Sequence, residues 1–257
     1  MRRAPRRPAR PPRALVDGSQ SPALRIRQRL EQSGLCEVRH RVDGPVDVVV
    51  ICDDGEPEDA LAARVRAVAL SAARACPTTA FVLAAPRGLS LCREAVRASG
   101  VPPWLVLATG AMPRAAAEST RLAARLGVAP SQVSVPVIGG DEAGPHAGQI
   151  PLRRYATAAG IPASALQFLR EEDLQATRRH DEFPEAALAA AGAALALAVL
   201  RDSRRVVCCG GWVEGSFGLP GGFVSLPFPV GARGVEEPLA LRLTLEERSL
   251  LQRVAVR

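Results

Sequence analysis

At 257 residues and 47% hydrophobic content, the chain is long enough for one large domain or two small ones around a substantial core. The formal charge of +7 suggests an anionic partner, yet six arginines fall within residues 1–13, and without them 27 basic residues face 26 acidic ones. A near-neutral body gives a nucleic-acid surface little support. The most apolar run, 186–200, is short of the roughly 18–20 residues a membrane helix needs, so membrane association is not expected.

All basic residues are arginine, and lysine and asparagine are absent. No folding constraint requires that. A GC-biased gene accounts for it, so many arginines are simply charged surface. The six cysteines show no C-x-x-C spacing and several sit in apolar runs, as small buried hydrophobes in a reducing, intracellular compartment do. Adjacent Cys208 and Cys209 would point to opposite faces of a strand, and no metal site is expected.

In chain order, MRRAPRRPARPPR (1–13) is Arg- and Pro-rich and acid-free. It reads either as a disordered arm or as an organelle transit segment, the latter implying mitochondria. A short strand is expected at 14–16. A helix follows at 21–34, with Ser21 as cap, Pro22 in the first turn and Gly34 as stop. An edge strand is expected at 36–42. The β-branched run at 45–52 reads as a buried parallel strand. Then come a helix (57–76), a strand (79–85), a helix (89–99) and a strand (104–109). Such alternation predicts a parallel sheet with crossover helices. Beyond residue 112 the expectation is a helix (113–126), a strand (133–139) and helices over 151–178 and 183–201. Strands near 205–214 and 222–229 and a final helix opening on a Thr244–Glu247 capping box complete it.

FVSLPFPVGARGVEEPLALRLTLEERSLLQRVAVR (223–257) resembles the closing segment of the malate dehydrogenases. VSVPVIGGDEAGPHAGQIPL (133–152) is similar to that family's catalytic-histidine strand and loop. The resemblance covers roughly residues 45–257 and is strongest at the C-terminal end. It implies an α/β fold: a truncated Rossmann-like parallel sheet (14–111) followed by an α+β C-terminal domain of the lactate/malate dehydrogenase type (112–257). It also implies NAD as cofactor, a small dicarboxylate as substrate and a homo-oligomer.

Most of the family's working positions are altered. The glycine-rich turn that would cradle the NAD pyrophosphate matches VDGSQSPALRI, in which only Gly18 is present. The substrate loop matches CDDGEPEDALAARVRA, shortened and acidic at 53–59 with Arg64 and Arg66 only later, inside an expected helix, and it reads as a solvated surface loop. The Asn-Pro near the nicotinamide appears as Ala85-Pro86. The aspartate that orients the catalytic histidine appears as Ala111, while the carboxylate-binding arginine is kept as Arg114. Asp141 stands where the histidine belongs, and His146 follows five residues later. His40 and His180 read as ordinary surface residues.

The leading expectation is therefore a malate dehydrogenase-like protein with impaired catalysis and weak or lost NAD binding. It would act as a binding or structural subunit, in a homo-oligomer or a larger assembly. The alternative is an active NAD-dependent malate dehydrogenase, with His146 as acid–base, Arg114 on the substrate carboxylate and NAD at Gly18.

Overall fold

The computed structural model describes residues 10–141, 147–162 and 185–256. Its first half alternates as the sequence predicts: β1 (Arg13–Asp17), α1 (Ser21–Ser33), β2 (Glu37–Arg39), β3 (Val48–Cys52), α2 (Glu58–Ala75), β4 (Ala80–Ala84), α3 (Gly88–Ser99) and β5 (Val106–Ala108). These five strands are parallel in the order β2-β1-β3-β4-β5. β3 and β4 are buried at every position, as strands covered on both faces must be.

The chain winds outward in both directions from β1. The sheet's topological switch point therefore lies between β1 and β3, where open α/β sheets bind ligands at the carboxyl ends of their strands. α2 packs with α3 and α1 packs with α5 (Glu185–Arg201). Gly34 closes α1 in a left-handed conformation, φ 63°, which glycine adopts without steric cost.

The second half adds α4 (Met112–Leu126), β6 (Val133–Ser134), β7 (Val137–Gly139), β8 (Gln149–Pro151) and β9 (Thr157–Ala158). After α5 come β10 (Arg205–Val213), β11 (Gly222–Gly231), β12 (Gly234–Val235) and α6 (Leu245–Val254). β10, β11, β7 and β8 continue the same sheet in antiparallel sense, joined where Gly210 pairs with Ala108 of β5. Glycine is needed at that junction, because a Cβ on Gly210 would collide with Leu89 and lie 2.9 Å from the Ala108 Cβ. One hydrophobic cluster runs from Leu15 through Phe81 and Leu107 to Phe228 and Leu251, spanning both halves.

Three expectations are corrected. Residues 10–13, assigned to the arm, belong to the fold: the backbone N–H of Arg13 donates to Asp47 at 2.7 Å, and Arg10 pairs with Asp47 at 2.9 Å. The strand expected over 133–139 is split, because Pro136 has no N–H to give a ladder. β6 pairs instead with β9 in a small separate sheet. The helix expected from residue 151 is absent over 151–162, where β8, a 3-10 turn (Arg153–Tyr155) and β9 lie. Pro151, Thr157, Gly160 (φ 76°) and Pro162 break helical continuity there. Residues 163–178 of that expectation lie outside the described residues.

The alanine-rich α5 is buried along most of its length and covers β3, β4 and β11. Leu195 is fully buried in it, whereas Leu24 on α1 is 55% exposed. Leu195→Ala should cost about 2–5 kcal/mol through lost burial and the cavity it leaves. Leu24→Ala should stay within about 0.5 kcal/mol. Urea unfolding of the two variants checks both.

Candidate functional site

The residues marked in the sequence gather along the carboxyl edge of the parallel strands. Gly18 follows β1, with φ 136°, and its turn leads into α1. α1 starts at Ser21 after Gln20, and neither residue supplies a side-chain cap to the first backbone N–H groups. The turn that leads into the helix is held from elsewhere. The Asp54 carboxylate, two residues past the end of β3, accepts the backbone N–H of Ser19 at 2.7 Å, the Ser19 hydroxyl at 3.1 Å and the N–H of Gln20 at 3.2 Å. Burial pulls the Asp54 pKa up, but these hydrogen bonds and the Arg64 charge outweigh it and hold the carboxyl below the usual Asp range.

Arginines brace this arrangement. Arg64 of α2 bonds Asp17 at the end of β1, Glu56 at 2.6 Å and the Cys52 carbonyl at 2.6 Å. Arg27 of α1 donates to the carbonyls of Val16, at 2.9 Å, and Gly18. The acidic loop 53–59, expected as solvated surface, is thus folded back on the switch point by Asp54 and Glu56. Asp54 is the residue that the sequence reading missed. The signal was its position: β3 lies next to β1, and a carboxylate just past the end of β3 faces an uncapped helix start.

Further along the edge the N–H of Asp53 donates to the Ala84 carbonyl at 3.2 Å, and buried Ala85 leads into α3. α3 also begins without a side-chain cap of its own. Asp141, only 1% exposed, reaches across from the end of β7. It accepts the N–H of Leu89 at 2.8 Å and both the N–H and hydroxyl of Ser90, at 3.2 and 3.0 Å. Burial pushes its pKa up to about 6, against the downward pull of these hydrogen bonds. Ala111 is fully buried and its N–H donates to the Ser225 hydroxyl at 3.1 Å. Arg114 lies half-buried in the first turn of α4. His40 is exposed. His146 and His180 lie outside the described residues.

The fold brings Gly18 and Asp54 into contact and places Ala85 and Asp141 at the start of α3. Both oxygens of Asp54 and of Asp141 accept backbone N–H groups at or just before a helix start. Burial raises the Cys52 pKa to about 12 and also raises those of Cys92 and Cys209, which keeps these thiols protonated and non-nucleophilic. No cluster of three or more possible metal ligands exists among the described residues.

Parallel strands, crossover helices and a switch point between β1 and β3 define a Rossmann-like α/β fold of the lactate/malate dehydrogenase type. Comparison with known proteins narrows this. The chain is 33% identical over 204 residues to a malate dehydrogenase of Thermomicrobium roseum, covering 74% of this chain and 64% of that protein. It is 32% identical over 200 residues to the malate dehydrogenase of Desulforudis audaxviator, covering 74% and 63%. Malate dehydrogenase 1 of Anaeromyxobacter dehalogenans matches at 37% identity over 139 residues, 49% of this chain and 43% of that protein. No family model matches the chain. The chain is a divergent member of the malate dehydrogenase family. It spans less than two thirds of the length of these relatives.

That family implies a dinucleotide whose pyrophosphate rests on the helix-start amides after β1. The residues here do not fit it as folded. The amides of Ser19 and Gln20 already hold Asp54, and a Cβ added at Gly18 would lie 3.0 Å from Asp54 Oδ1, so the approach is filled.

Two predictions follow from the carboxylates. Asp54→Ala should destabilise the chain by about 0.5–2 kcal/mol, the cost of losing a helix cap, as read by urea unfolding at pH 7. For Asp141, the folded pKa of about 6 lies above the ordinary value of 3.8. Between those values the folded chain keeps a proton that the unfolded chain has released. Its stabilising contribution is therefore complete below about pH 4 and lost as pH rises through about 6, a change of at most about 3 kcal/mol. Asp141→Asn should lack this step. Wild type should gain stability relative to the variant on going from pH 7 to pH 4, and a pH-independent difference would refute it.

Proposed function

We propose that the chain is a malate dehydrogenase-like protein in which catalysis is impaired and NAD binding is weak or lost. It acts through protein contacts, as a homo-oligomer or as a subunit of a larger intracellular assembly. The observation that carries this reading is the Asp54 carboxylate seated on the Ser19 and Gln20 amides. A pyrophosphate would have to displace it or lie beside it. Two unit charges 4 Å apart repel by about 4 kcal/mol at an effective dielectric of 20, which corresponds to roughly a thousandfold in affinity.

The remaining chemistry points the same way. Ala111 has no carboxylate to orient and stabilise a histidinium. The 53–59 loop offers acids, not arginines, toward a dianionic substrate. Asp141 is committed to α3. Arg114 is the group that still matches the family pattern, and an anion anchor alone does not move a hydride.

The test pairs calorimetric titration of NAD with NADH oxidation in the presence of oxaloacetate. The expected result is turnover at or near background, weak or absent NAD binding, and no change in either on Arg114→Ala. Turnover on the order of 1–10³ per second, lost on substitution of His146 or Arg114, would establish the active enzyme instead.

A further inference from the structure

The parallel half of the sheet ends in a strand that is paired on one side only. β2 (Glu37–Arg39) lies against β1, and among the described residues no strand lies on its other side. Classic doubly wound sheets carry one more strand in that place. The parallel ladder sets where the free backbone groups point. The Glu37 N–H donates to the Pro12 carbonyl at 2.8 Å, so Glu37 and Arg39 turn their backbone groups toward β1. Val38, between them, turns its N–H and C=O outward, and neither has a partner among the described residues. An edge of free donors and acceptors is a template for another strand.

The side chains select which strand fits. Successive side chains alternate between faces, so Glu37 and Arg39 share one face. They pair with each other at 2.9 Å, and with Arg13 at 3.0 Å and Asp43 at 3.4 Å. Turned about a two-fold axis at Val38, a second β2 runs antiparallel to the first. Val38 then meets Val38 of the second copy, each N–H donating to the other's C=O. Glu37 of each copy stands opposite Arg39 of the other, in the positions where facing Cα atoms come within about 4.5 Å. Both cross-strand pairs join unlike charges, which stabilises a sheet. Slipping the pair two residues either way would set Arg39 against Arg39 or Glu37 against Glu37. The charges therefore fix the register as well as the partner.

We propose that β2 joins two copies of this chain edge to edge, making one continuous sheet across a two-fold axis at Val38. The proposal rests on the reading of the chain as a homo-oligomer and names the interface.

Sedimentation velocity of the full chain under reducing conditions, over about 1 μM to 1 mM, reads the association. The expected result is a concentration-dependent monomer–dimer equilibrium. Val38→Pro removes an N–H that β1 does not use, and proline is tolerated at such an edge position. The dissociation constant should rise roughly tenfold or more, with an unchanged far-ultraviolet circular dichroism spectrum. Glu37→Arg and Arg39→Glu each set like charges against each other across the axis, so each variant alone should dimerise roughly tenfold more weakly or worse. Mixed in equal amounts, the two variants offer only unlike pairs and should associate with each other. The proposal is overturned if the wild-type chain stays monomeric throughout, if the folded variants dimerise as the wild type does, or if the folded charge variants fail to associate when mixed. A monomeric wild type leaves the reading of impaired catalysis and of a subunit in a larger assembly standing. Unaffected variants leave a homo-oligomer that joins elsewhere.

Discussion

The first backbone N–H groups of a helix have no partners within it and must find acceptors elsewhere. That constraint organises the functional edge of this chain. α1 and α3 both begin without a capping side chain of their own, and both are capped from far along the chain. Asp54 reaches α1 from the end of β3, and Asp141 reaches α3 from the end of β7. Each bond also meets the partial positive charge of a helix start, where an anion is favoured. The two caps fasten the ends of β3 and β7 to helices on the same sheet and thereby fix the loops that leave those strands.

In a dinucleotide-binding fold, the partial positive charge at the first helix is kept for a ligand's phosphate. Here it is satisfied by a tethered carboxylate that cannot diffuse away. Asp141 does the same for α3, as a buried acceptor for the Leu89 and Ser90 donors. Both replacements use one physical device, an internal carboxylate on helix-start amides.

Much of the fold could be read from the sequence because it is written in local patterns. The buried run at 45–52, the Gly34 stop, the Thr244–Glu247 capping box and the apolar 186–200 helix each carry a short-range signal, and each element formed. Elements whose form depends on distant partners were not legible. Pro136 divides a strand whose two parts find different neighbours, and 151–162 has enough alanine and arginine to look helical while Pro151 and Gly160 prevent it. At the site, the altered positions Gly18, Ala85, Ala111 and Asp141 were visible as residue types. The partner of each was not. That Asp54 faces Gly18 requires knowing that β3 lies against β1, and that Asp141 faces Leu89 requires β7 to join the sheet through β11.

The junction of β10 with β5 has a mechanical consequence. Where two halves of an enzyme meet through a loose, polar interface, they can rotate about a hinge and close on what lies between them. Here the parallel and antiparallel halves share one sheet, with Gly210 set against Ala108 and the Gly110 turn wedged against Ser225. Any rotation between them would have to shear ladder hydrogen bonds and open a continuous apolar core. The molecule is built as a girder rather than a clamp, and strain applied to one half is carried directly into the other.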